Sequence, residues 1–308
     1  MLAAYITHAE CARHEMGPEH PECPERLAAI HDHLLVKGLL DYMIWYDAPL
    51  ATVEQLARAH SALHVHEILA ASPAEGHRQI DPDTRMNPFT VNAALRAAGA
   101  AVLATDLVLA GEVPAAFCCV RPPGHHAERA AAMGFCFFNN VAVGIRHALD
   151  VHGLQRVALV DFDVHHGNGS EDILRGDERV LMCSIFEKDL YPFSGGECND
   201  ANMVNVGLPT RSGSDAFRHA VTHSWLPALA AFRPQLIYVS AGFDGHREDD
   251  MGNLGLVEAD YGWVTQQLMA VARQHCQGRV ISCLEGGYVL SPLARSAAAH
   301  VRVLIGAD

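Results

Sequence analysis

Short apolar runs recur through the C-terminal two thirds of the chain, at 115–120, 157–160, 180–184, 236–240 and 280–284. Between them lie stretches with helical patterning, at about 139–152, 213–232, 258–275 and 290–304. Unbroken apolar strands alternating with helices predict a parallel sheet covered on both faces. The N-terminal stretch MLAAYITHAECARHE reads as a first strand, and the residues after it as mostly helical. Pro24 before Glu25-Arg26-Leu27, with Lys37-Gly38 at the far end, predicts a helix with proline near its start and glycine after its end. Thr52-Val53-Glu54-Gln55 has capping-box spacing and opens another. Ala-rich residues 88–111 predict a long helix ending near Gly111. With no linker and no internal repeat, residues 1–308 read as one domain.

In such sheets ligands bind beyond the carboxyl ends of the strands. Four predicted strands run there into polar clusters: Arg121-Pro122-Pro123-Gly124-His125-His126, Asp161-Phe162-Asp163-Val164-His165-His166-Gly167-Asn168-Gly169, Ala241-Gly242-Phe243-Asp244 and Glu285-Gly286-Gly287-Tyr288. In extended chain, side chains two apart point the same way, so Asp161, Asp163 and His165 share one side. Asp244 can complete a set of two carboxylates and one imidazole. Three protein ligands leave a fourth position open, as catalytic zinc requires. The plainer alternative has Asp161 and Asp163 capping the next helix. The adjacent His125 and His126 suit proton transfer, each needing an orienting partner, for which Asp161 and Asn168 are candidates. Tyr288 follows a glycine turn and can donate to a developing oxyanion.

Composition narrows the class. The chain has 308 residues, 50% of them hydrophobic and 19% charged, enough for a full core and too apolar for disorder. No apolar run approaches a membrane span, and the N-terminus makes a poor signal peptide. A net charge of −14 argues against a nucleic-acid partner. Nine cysteines without CxxC spacing fit a reducing, cytoplasmic setting. The 20 histidines nearly equal Lys plus Arg at 22, and part of that excess clusters with Asp. No GxSxG elbow, phosphate-binding loop or GxGxxG motif is present.

RPPGHHAE (121–128), GFCFFNNVAVG (134–144), DFDVHHGNG (161–169), AGFD (241–244), LEGGY (284–288) and HPECPERL (20–27) resemble the histone deacetylase family of metal-dependent amidohydrolases. The class II branch is closest, with its bacterial single-domain members. The resemblance implies the three-layer arginase/deacetylase fold, α/β, with an eight-stranded parallel sheet flanked by helices. It implies Asp163, His165 and Asp244 as zinc ligands, and two carboxylates with one imidazole also admit iron or manganese. His126 would be general base, with Asn168 orienting it and Asp161 orienting His125, and Tyr288 would be the transition-state phenol. Gly134, Phe135 and Tyr191 would line an acyl-lysine tunnel, Asp83 would hold substrate at the rim, and Arg26 and Gly287 would lie by the acetate pocket. A structural potassium site would use Asp161, Asp163, His165, Ser184 and the Ile185 carbonyl.

The implied activity is removal of acetyl or other acyl groups from lysine side chains or similar small acetylated amines. Oligomeric state is left open. Arginase-type ureohydrolysis and a silent acetyl-lysine binder are the rivals, and acetylpolyamine hydrolysis is the alternative within the family. Polyamine-selective members carry a Glu shortly after the metal-binding Asp. The matching place falls near Asn253 or Leu254, neither of them charged, which favours acyl-lysine.

Overall fold

The computed structural model describes residues 2–196 and 200–307. In chain order its elements are β1 (Ala3–Thr7), α1 (Glu25–Val36), β2 (Met43–Asp47), α2 (Val53–Ala57), α3 (Ala62–Ala70), β3 (Arg78–Gln79), β4 (Arg85–Met86), α4 (Thr90–Leu109), β5 (Ala115–Cys118) and α5 (Asn140–Asp150). After these come β6 (Val157–Asp161), α6 (Asn168–Leu174), β7 (Val180–Glu187), β8 (Met203–Leu208), α7 (Ser214–Ala220), α8 (Leu226–Phe232), β9 (Leu236–Ala241), α9 (Glu258–His275), β10 (Val280–Leu284) and α10 (Leu290–Leu304). A π-helical turn, Val221–Trp225, joins α7 to α8 within the stretch expected as one helix.

Eight strands form one sheet in the order β2-β1-β5-β10-β9-β6-β7-β8, and every pair in it is parallel. β3 and β4 form a separate antiparallel hairpin. The interior strands are buried along their whole length because helices cover both faces. α4 and α5 pack together against the sheet, and α1, α9 and α10 form another packed group. The Thr52 capping box is present, its side chain accepting from Gln55 N–H. Asp161 and Asp163 do not cap α6: the residue before it is Gly167, with no side-chain cap.

One expectation is corrected. α4 is long and apolar enough by length and composition to cross a membrane, yet two thirds of that stretch is buried inside the molecule. Its small alanines lie at core-facing positions, so hydropathy here records close packing against the sheet.

Chain order and sheet order differ in a way that builds the site. β5, β10, β9 and β6 are consecutive neighbours at the centre of the sheet. These are the four strands whose carboxyl ends carry the polar clusters, so the clusters converge on one spot of the rim.

Candidate active site

Asp163, His165 and Asp244 bring three ligand atoms within 4.8 Å of one another, all buried. His165 Nδ1 lies 3.1 Å from Asp163 Oδ1 and 3.2 Å from Asp244 Oδ2. Asp244 Oδ2 is buried without a hydrogen-bond partner. Burial, and then the Asp163 charge, push the Asp244 carboxyl up to about 7. Burial would lower the His165 imidazole, but the two carboxylates raise it to about 10. A divalent cation would relieve this crowding of negative charge, and an orphaned carboxylate oxygen beside an imidazole nitrogen fits one. Gly286 makes the approach possible: a Cβ there would lie 2.0 Å from Asp244 Oδ2, and its N–H donates to Asp163 Oδ2 at 2.8 Å.

The two histidines differ because their partners differ. His125 Nδ1 meets Asp161 Oδ2 at 3.0 Å, and Asp163 Oδ2 stands 3.8 Å from its Nε2. Burial opposes charge on His125, but Asp163 and Asp161 outweigh it and hold its pKa well above the ordinary value. His126 Nδ1 meets Asn168 Oδ1 at 2.8 Å. Asn168 is oriented by donating its amide N–H to Glu128 Oε1 at 2.8 Å. The Asn168 oxygen can only accept, so His126 carries its proton on Nδ1 and keeps a lone pair on Nε2. Burial, then the charges on His125 and His165, hold His126 well below the ordinary value. The surroundings thus bias the two rings in opposite directions, His125 toward the protonated form and His126 toward the free base.

Above this floor lies a cavity of about 190 Å³, lined by Asp83, His126, Gly134, Phe135, His165, Tyr191, Met251 and Tyr288. The rings of Phe135 and Tyr288 meet edge-on at 5.8 Å, and those of His126 and Tyr191 at 5.2 Å. Burial, and then Asp244, raise the Tyr288 phenol well above its usual value, so it stays protonated and able to donate. Phe135 sits at φ 69°, a conformation costly for a bulky residue. Thr84 holds it there: the Thr84 hydroxyl accepts from Phe135 N–H and donates to Asp83 Oδ1, both at 2.9 Å.

Arg26 and Gly287 are brought together, with Arg26 Nε donating to the Gly287 carbonyl at 2.6 Å. The Arg26 guanidinium lies 4.9 Å from the centre of the Tyr288 ring. Ser184 faces Asp161 across the β6–β7 pairing, beside Ile185. The Ser184 hydroxyl meets His166 Nδ1 at 3.2 Å.

One expected position is corrected. Asn253 is bound to Glu187 through its backbone and side chain, and Leu254 is buried in the core. The tunnel-wall residue of that loop is Met251, two or three positions earlier.

The supports of the site are not legible in the sequence. Glu285 Oε2 accepts the N–H groups of Gly124 and His125 at 2.7 and 3.1 Å, fixing the loop that carries the histidines. Asp249 Oδ2 accepts from Tyr288 N–H at 2.7 Å and Val289 N–H at 3.0 Å, while its Oδ1 accepts from Met251 N–H at 3.0 Å. Glu22 pairs with both Arg26 and Arg121. Glu22, Asp249 and Glu285 are buried acids; Glu285 and Glu22 stand inside the LEGGY and HPECPERL motifs, but which backbone or guanidinium each one holds depends on contacts distant in sequence.

Comparison with known proteins agrees with this geometry. A model of the histone deacetylase domain matches residues 20–304. The chain is 38% identical to Histone deacetylase-like amidohydrolase of Pseudomonas aeruginosa, over 87% of this chain and 72% of the relative. It is 36% identical to Polyamine deacetylase HDAC10 of Mus musculus, over 92% of this chain and 45% of the relative. Against Type-2 histone deacetylase 2 of Dictyostelium discoideum it is 34% identical over 97% of this chain, which spans 20% of that protein's length. The solved HDA15 HD domain superposes with a TM-score of 0.94 and 33% identity, covering 99% of this chain and 88% of that one. The eight-stranded parallel sheet, the rim of motif residues and these matches lead to one conclusion: the chain belongs to the histone deacetylase family, whose members are amidohydrolases.

Proposed function

We propose that this chain is a zinc-dependent deacetylase that hydrolyses acyl-lysine side chains or similar small acetylated amines. One observation carries the reading. His165, His126 with its free Nε2, and Tyr288 line a single narrow cavity, and Asp163 and Asp244 gather their carboxylates around the same His165.

Zinc held by the trio would supply Lewis acidity toward the amide carbonyl and acidify water. The remaining work falls to the chain's own side chains. His126 Nε2 takes a proton from water as the water oxygen bonds to the carbonyl carbon. Tyr288 donates a hydrogen bond to the carbonyl oxygen as negative charge develops on it. The carbon–nitrogen bond then breaks, a proton from His126 or His125 goes to the leaving nitrogen, and acetate and the free amine depart. Phe135 and Tyr191 flank the aliphatic chain and exclude water, and Asp83 at the mouth accepts from the substrate's N–H groups. Iron in place of zinc would use the same donors. A potassium ion around Asp161, Asp163, His165, Ser184 and Ile185 belongs to the same proposal.

Met251 favours acyl-lysine over an acetylpolyamine. The wall residue is apolar, and a second substrate ammonium stripped of water beside it would lack a counter-ion. The test is a panel of acetyl-lysine peptides, longer acyl-lysines and acetylpolyamines with zinc-loaded protein. Turnover of acetyl-lysine peptides is expected. No turnover of any acylated amine overturns the activity, and a tenfold preference for the polyamines overturns the substrate class.

A further inference from the structure

The amino edge of the sheet, opposite the cavity, carries a second convergence of ligand atoms. Asp106 lies in the last turn of α4, His147 in the last turns of α5, and His152 just beyond α5. Both helices lead into strands at that edge, so the cluster is remote from the active-site rim. His147 Nε2 and His152 Nε2 reach the same oxygen, Asp106 Oδ1, at 2.8 and 2.7 Å. The rings stand 5.2 Å apart at 75°, and all three ligand atoms lie within 4.8 Å of one another.

We propose that Asp106, His147 and His152 form a second metal site, taking a first-row divalent cation such as zinc. Two imidazole nitrogens select such ions over calcium and magnesium, which favour all-oxygen sites. Tetrahedral zinc holds nitrogen and oxygen ligands at about 2.0–2.1 Å, which puts neighbouring ligand atoms about 3.3 Å apart. The trio needs only small side-chain adjustments to reach that spacing. His147 is buried and held by its helix, while Asp106 is half exposed, which leaves a coordination position open to water.

One neighbour opposes the ion. Arg58 Nη1 lies 3.3 Å from His147 Nδ1, where it donates to a nitrogen that carries the proton once Nε2 binds metal. Arg58 also pairs with Glu54 at 2.8 Å and keeps that partner when it turns away. The guanidinium therefore weakens the site without closing it.

The test is zinc stoichiometry and affinity for the full chain without a polyhistidine tag, stripped by chelator and titrated calorimetrically. His152→Ala is expected to bind one ion fewer than the unmodified chain. Asp106→Asn keeps an oxygen to accept from both rings, so it spares the fold, and it is expected to weaken the same ion at least tenfold. Arg58→Ala is expected to tighten that ion several-fold. A cluster serving only as hydrogen bonds holds no ion for these changes to act on. Equal stoichiometry in the unmodified chain and His152→Ala overturns the proposal, as does unchanged affinity in Asp106→Asn or Arg58→Ala. Because the readout is a difference between variants, it does not depend on occupancy of the active site. It also means that two ions per chain would not by themselves indicate a two-metal ureohydrolase.

Discussion

The floor and the mouth of the cavity are built by different rules. The floor comes from the ends of four adjacent strands, and its acids and imidazoles are buried. The mouth comes from loops distant in sequence, and Asp83, Tyr191 and Met251 there are all half exposed. At the floor each side chain is fixed by the fold and by a buried neighbour. At the mouth Tyr191 and Met251 come from loops and are partly exposed, and only Asp83 is tied to a buried partner, the Thr84 hydroxyl. Chemistry therefore belongs to the floor and choice of substrate to the mouth, and substitutions should separate the two.

The largest effect is expected at the ligands. Asp163→Ala or Asp244→Ala should lose zinc and activity together, with turnover falling by more than ~10³-fold, because an open site has no spare donor. Elemental analysis alongside kinetics checks this, and full metal content with normal turnover in either variant removes the assignment. Next comes Tyr288→Phe, expected to keep the ion and still bind a hydroxamate while kcat drops by roughly 10²–10³-fold. Asp249→Ala should follow. It leaves the phenol in place but frees the backbone that presents it, so kcat should fall about 10- to 100-fold with KM little changed. A rise in KM alone would make Asp249 a residue of the mouth.

The smallest effect should be one of selectivity. Met251→Glu puts a carboxylate on the tunnel wall and should move the kcat/KM ratio of N8-acetylspermidine to an acetyl-lysine peptide about tenfold toward the polyamine, roughly 1.4 kcal/mol. The comparison at matched ionic strength separates this local effect from the long-range pull of a −14 chain. An unchanged ratio would move selectivity elsewhere on the mouth.

The same division governs what is legible in the sequence. Floor residues sit in contiguous motifs at the ends of strands whose unbroken apolar runs announce them. Asp161, Asp163, His165 and Asp244 fall on one rim by pattern alone. The mouth has no such grammar. Tyr191 is reached only through family resemblance. The loop after Asp244 has no periodicity, so the wall position expected at Asn253 or Leu254 lies instead at Met251. The sheet repeats the lesson. Reading apolar runs finds β1, β5, β6, β7, β9 and β10 but passes over β2 and β8. Those two are the edge strands. β2 exposes Ile44 and Trp45 and ends in Asp47, and β8 carries Asn205 and an exposed Gly207, so neither shows an unbroken buried run. The short helix α6 also escapes the pattern, because its first residues serve the site and carry no amphipathic repeat.

The position of β10 sets the order in which the molecule can come into being. It is the last strand of the chain, and it lies between β5 and β9 at the centre of the sheet. During synthesis, everything up to residue 279 can make at most two half-sheets, β2-β1-β5 and β9-β6-β7-β8. Each half has one raw edge, β5 or β9, whose residues are all buried in the finished protein. Such edges invite pairing with other chains until the proper strand arrives. The histidine loop belongs to one half and the carboxylates to the other, and Glu285, which ties down the histidine loop, comes only after β10. The nascent protein is thus inert as well as vulnerable, and a single late insertion ends both conditions at once.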